Sequence, residues 1–130
     1  MSTGWGHHLI IEHLRKTDKC RSILYNIAET TSLFVSSVTA FELLAGATDT
    51  AKQKDVHMLL DGVAVLPFDI TSAEEAGKIY RELYITNTLI EIRDIFIAAT
   101  ARANGLAIMT LNYKHFERVK GLKLIRGNVK

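Results

Sequence analysis

The chain has 130 residues, 48% of them apolar and 23% charged, the balance of an ordinary globular domain rather than a disordered segment, and long enough to bury a core without disulfides. No run of about 18 apolar residues is present to span a membrane, and the start, Met1 to Trp5, lacks the basic and apolar regions of a secretory signal. The formal charge is only +2, and the single cysteine, Cys20, joins no disulfide or zinc spacing, so the reducing cytoplasm is the expected compartment.

In chain order, residues 1–8 read as an atypical leader, with His7-His8 resembling a tag remnant. Leu9 to Arg15 reads as a short apolar helix or the end of a strand–helix junction. Thr17-Asp18 can cap a helix to about Thr30. Leu33-Phe34-Val35 is a strand buried on both faces, and Ser36-Ser37 caps a helix over Val38–Ala47 that stops near Gly46. Asp49-Thr50 opens a helix with Val56, Leu59 and Leu60 inward. Val63 to Phe68 is the next strand. A helix capped by Asp69, Thr71 and Ser72 turns Ala73, Ala76, Ile79, Tyr80 and Leu83 inward. Glu91 to Asn104 is a strongly apolar helix with Gly105 in position to terminate it. Leu106–Thr110 is a strand, Tyr113–Val119 a short helix and Leu122–Ile125 a last strand.

No repeat or linker divides the chain, and Pro67 is its only proline, so residues 1–130 form a single domain. Alternating short apolar strands and helices predict a three-layer α/β/α sandwich with a mainly parallel central sheet. Sites in such sheets lie beyond the carboxyl ends of the strands. From Lys114 onward, six basic side chains face only Glu117. That basic end is either a nucleic-acid contact or a solvated tail.

Glu42 and Asp94 stand out because almost all their neighbours are apolar. A carboxylate drawn into an apolar core must be paired, hydrogen-bonded or bound to a metal. Two such groups converging at the sheet edge, with oxygen donors and no Cys–His set, suit Mg²⁺ or Mn²⁺ rather than Zn²⁺. The simpler alternative is that each caps a helix or pairs with an arginine such as Arg93. Thr110 and Asn112 leave a strand at the expected edge, where their oxygens can ligate a hard cation or orient its water; the plainer use of Asn112 is to cap the next helix. His13 and His57 read as surface or partly buried helix residues. His115 and Lys114 are placed to contact substrate phosphate. No Walker loop, G-x-G-x-x-G or G-x-S-x-G is present.

Four segments in this order resemble a known family. They are Leu9-Ile10-Ile11-Glu12-His13-Leu14-Arg15, Ser36 through Gly46 (SSVTAFELLAG), Asp94-Ile95-Phe96-Ile97-Ala98-Ala99-Thr100-Ala101, and Met109 through Phe116 (MTLNYKHF). Together they resemble a PIN-domain ribonuclease, specifically a VapC-type toxin of toxin–antitoxin pairs. The resemblance implies Mg²⁺- or Mn²⁺-dependent RNA hydrolysis, with Glu42, Asp94 and Asn112 as metal ligands and Thr110 positioning water. It also implies a homodimer, a cognate antitoxin, and operator DNA reached only through the antitoxin complex. One departure stands against it. The family opens with an apolar strand ending in Asp-Thr, and by spacing that aspartate falls at Gly6 and the threonine at His7. The central strand and one metal ligand are therefore expected to be missing, with His8, Glu12 or water as partial substitutes. A catalytically impaired module that works by binding its partner is the alternative reading. A response-regulator-like domain is a third, disfavoured because the early paired acids and the late lysine of that fold are absent.

Overall fold

Three short apolar runs lie side by side: Ile10 pairs with Phe34 on one flank and with Ile108 on the other. The structure, a computed structural model, describes residues 8–11, 32–110 and 113–126. Its strands are β1 (His8–Ile11), β2 (Ser32–Ser36), β3 (Ala64–Leu66), β4 (Ala107–Thr110) and β5 (Leu124–Arg126). Its helices are α1 (Ser37–Gly46), α2 (Thr50–Asp61), α3 (Ile70–Ile85), α4 (Ile92–Ala103) and α5 (Tyr113–Phe116). The strand order is β3-β2-β1-β4-β5, and every pairing is parallel.

The central strand is therefore present, which corrects the expectation that it is missing. His8–Ile11 forms it, rather than the opening of a helix. Three consecutive apolar residues fit either state, and pairing on both flanks with β2 and β4 decides for the strand. Residues 12–31, with the helix expected after Thr17-Asp18, Cys20 and His13, lie outside the described residues, as do Gly6 and His7.

Strand β4 shows how the sheet is covered on both faces. Ala107 and Met109 join a core with Val35, Leu43, Val56 and Leu59, beneath α1 and α2. Ile108, between them in sequence, joins the opposite core with Ile79, Leu83, Ile95, Ile97 and Phe116, beneath α3 to α5. Alternate residues of one strand thus feed two cores, giving the expected three-layer sandwich.

The helix boundaries follow local chemistry. Ser36, Asp49 and Asp69 each cap the helix after them, accepting from the backbone N–H groups of Thr39, Lys52 and Ser72 respectively. Gly105, at φ +67°, ends α4: its N–H donates to Arg102 O and that of Leu106 to Ala101 O, a left-handed terminus natural to glycine. Strand β3 is shorter than expected because Pro67, which has no N–H, follows it at the sheet edge. Tyr80, expected inward, is exposed on α3 and stacks on Tyr84, while Ile79 and Leu83 take the buried positions. Of the basic end, Lys114 lies in α5 and Arg126 in β5, with Arg118, Lys120 and Lys123 in the connection between them. Arg118 donates to the carbonyls of Thr88 and Leu89.

Between α3 and α4, Arg102 Nε donates to Glu75 Oε1 at 2.7 Å and its Nη1 to Lys120 O at 2.9 Å. The Arg102 guanidinium holds the Glu75 carboxyl below its ordinary value, with Lys78 adding to the effect. A carboxylate whose folded value is depressed adds stability above its unfolded value, and that stability is lost as pH falls through the folded one. Glu75→Gln should therefore cost about 1 kcal/mol at neutral pH. Urea unfolding at a series of pH values should show the gap from wild type closing below about pH 4. Ile108→Ala, at a fully buried position between β1 and β5, should cost about 2–5 kcal/mol in the same assay.

Candidate active site

In a parallel sheet, each helix following a strand begins at the carboxyl edge, and each helix leading into a strand also begins there. Helix α1 leaves β2, α4 leads to β4, and α5 follows β4. Their amino-terminal turns share one edge, near the point where the chain, having built β1, β2 and β3 outward, returns to place β4 on the other side of β1. That is the topological switch point at which open α/β sheets bind ligands.

Asp94 lies in the first turn of α4 and has no exposed surface. The helix dipole favours a negative charge there. Its Oδ2 lies 3.3 Å from Nδ1 of His115, contributed by α5, whereas its Oδ1 is buried with no hydrogen-bond partner among the described residues. A buried carboxylate oxygen left without a donor is costly, and a hard cation is one group that can satisfy it. Glu42, on α1, meets α4 through Arg93, whose Nη1 donates to Glu42 Oε2. Arg93 Nη2 is also 3.6 Å from Glu91 Oε1, and its Nε is buried without an acceptor.

The structure thus joins Asp94 of α4 directly to His115 of α5, and ties Glu42 of α1 to α4 through Arg93. Glu42 takes the arginine partner named as the simpler alternative in the sequence. Thr110 is buried at the last position of β4, at the same edge. Lys114 is exposed on α5, and Asn112 lies outside the described residues. His115, expected at substrate phosphate, engages the Asp94 carboxylate through Nδ1. Two buried hydroxyl residues were not named as site candidates in the sequence, Ser36 being read there as a helix cap. Ser36 and Thr39 lie at the start of α1, linked Oγ to Oγ1 at 3.2 Å, one helical turn before Glu42; their small polar side chains inside an apolar run were the available signal. Gly6, expected at the first acidic position, precedes β1 in sequence, and the residue following β1 is Glu12; both lie outside the described residues. Among the described residues, no group of three or more His, Cys, Asp or Glu is placed to hold a metal.

Known proteins with the same arrangement identify the family. The profile of the PIN domain matches residues 8–122. The chain belongs to the PIN-domain family. It is 33% identical over 115 residues to Ribonuclease VapC10 of Mycobacterium tuberculosis, covering 88% of this chain and 86% of that protein. It is 36% identical over 93 residues to the tRNA(fMet)-specific endonuclease VapC of Shigella flexneri, covering 68% of this chain and 70% of that one. Among solved structures, the PIN fold recurs in DNA-bound VapBC from Salmonella typhimurium, with a TM-score of 0.77 and 25% identity over 94% of this chain and 99% of that one.

The orphaned Asp94 oxygen gives this PIN domain a stability signature. Asp94→Asn removes a buried charge while keeping its shape. In EDTA it should raise the unfolding free energy by about 1–3 kcal/mol, measured by urea denaturation. A loss of stability would mean that the carboxylate is already compensated within the protein.

Proposed function

We propose that the chain is a divalent-metal-dependent endoribonuclease toxin of the VapC type, hydrolysing RNA phosphodiester bonds and neutralised by a cognate antitoxin. The observation that carries this reading is the Asp94 carboxylate, fully buried at the sheet's carboxyl edge with one oxygen unpartnered. The VapC ribonuclease relatives supply the substrate class. Glu42 and Asp94 would hold Mg²⁺ or Mn²⁺, with Asn112 as a further ligand. When bound, such an ion lowers the pKa of its water and stabilises charge on the attacked phosphate.

The chain's own groups set up the rest. The hydrogen bond between Asp94 Oδ2 and His115 Nδ1 fixes the carboxylate's rotamer and leaves Oδ1 to the cation. Thr110, at the end of β4, orients water, and Lys114, exposed on α5, meets substrate phosphate. The VapBC complexes among similar structures, some DNA-bound, support an antitoxin partner, with operator DNA engaged through that complex. A homodimer and a cytoplasmic location accompany this reading. Among the described residues, no helix is long and apolar enough to cross a membrane.

A second reading is favoured by one observation: among the described residues, Glu42, Asp94 and His115 do not form a group of three placed to hold a metal. It is a catalytically impaired PIN module that acts through antitoxin and operator-DNA binding.

Cleavage of a mixed RNA pool by the purified chain decides between them. Cleavage is expected with Mn²⁺ or Mg²⁺, abolished by EDTA, and reduced at least about 100-fold by Asp94→Ala, the scale of losing one oriented electrostatic group. Metal-independent cleavage, or cleavage undiminished in Asp94→Ala, would overturn the first reading. Retained antitoxin binding without cleavage would establish the second.

A further inference from the structure

Arg93 puts a positive charge where the metal reading needs one of the two carboxylates. Its Nη1 donates to Glu42 Oε2, and the side chains of Arg93 and Glu42 are 33% and 20% exposed. The pair is therefore partly shielded from water, and screening weakens it less than an ordinary surface pair. The neighbouring Asp94, in contrast, keeps an unpartnered buried oxygen. One carboxylate of the centre is already neutralised and the other is not. An ion bound by both would compete with the guanidinium for Glu42, because two cations on one carboxylate repel.

The arginine is poorly satisfied where it stands. Among the described residues its Nε is buried without an acceptor, so the guanidinium fork, which clamps best when two parallel N–H groups are used, is not fully engaged by them. A second partner is within reach: Glu91 Oε1 lies 3.6 Å from Nη2, on a side chain that is 61% exposed. Glu91 immediately precedes α4, so the arginine can exchange Glu42 for Glu91 without moving the helix that carries Asp94.

We infer that Arg93 is a built-in counter-cation that occupies Glu42 in the metal-free protein, yields it to a divalent ion by shifting to Glu91, and thereby sets the affinity of the centre. This rests on the metal-dependent reading above and names a regulation of that same site. A positioning role, in which Arg93 holds Glu42 ready for the ion, predicts the opposite sign on removal.

The test is calorimetric titration of the full chain with Mn²⁺, accompanied by the Mn²⁺-induced shift in melting temperature. The variants are Arg93→Gln, Arg93→Met, Glu42→Gln and Asp94→Asn, with Lys52→Gln as a control that removes an exposed charge from α2. Both Arg93 variants should bind Mn²⁺ roughly 3- to 10-fold more tightly than wild type, the size of a partly shielded ion pair. Their melting temperatures should rise more on adding Mn²⁺, and Lys52→Gln should stay within about twofold of wild type. Unchanged or weaker binding in the Arg93 variants, equal tightening in Lys52→Gln, or no Mn²⁺ binding in any protein would overturn the inference. The two failures separate cleanly. If Glu42→Gln and Asp94→Asn bind Mn²⁺ as wild type does, the metal centre itself is misplaced. If they lose it while the Arg93 variants do not gain, only the role of Arg93 falls. Since Met keeps the apolar stem of the arginine, Arg93→Met gives the answer even where Arg93→Gln folds poorly.

Discussion

Asp94 is a charge with no water around it, and the carboxyl edge of the sheet is arranged about that fact. It stands in a helix whose residues Ile95, Ile97, Ala98, Ala99 and Ala101 are almost wholly buried. The apolar surface that locks α4 between α3 and the sheet therefore also removes solvent from the carboxylate. The helix dipole and His115 offset part of the cost of burial. The remaining oxygen has no donor among the described residues. Stability alone would favour an apolar or amide side chain at this position.

Parallel topology brings the other groups to it. Glu42, Asp94 and His115 span 73 positions of sequence, yet each belongs to a helix that begins at the same sheet edge. The small side chains of α4 let it approach closely, and Ala98, Ala99 and Ala101 have no exposed surface. A bulkier residue there would push α4 away from its neighbours and carry the Asp94 carboxylate with it. Core packing and site geometry are thus one constraint on α4.

Much of this was legible in the sequence where local chemistry decides the outcome. Ser36, Asp49 and Asp69 announce helix starts through their capping oxygens, Gly105 announces a helix end, and Asp94 is conspicuous inside an apolar run. The central strand was not legible. A short apolar run carries no alternating pattern to mark it as a strand, and Leu9-Ile10-Ile11 becomes one because β2 and β4 pair with it on either flank. Nor was the Asp94–His115 contact legible, since the two lie 21 positions apart in sequence with a strand between them. The Arg93–Glu42 pair lay between these cases. The need for a counter-charge followed from Glu42's apolar surroundings, but whether an arginine or a metal meets that need is set by tertiary geometry.

That distinction bears on how a centre with few acids can work. Under the metal-dependent reading, two protein carboxylates leave most positions of a hard cation to water and substrate phosphate, which is the usual way Mg²⁺ is held. Ion and RNA then complete one another's binding, and by linkage each raises the other's affinity by the same factor. A guanidinium resting on Glu42 strengthens this dependence, because it lowers the affinity for the ion alone while the phosphate's charge helps compensate the displaced arginine. A sparse centre opposed by its own arginine would favour the ternary assembly with RNA over the metal-loaded protein without it.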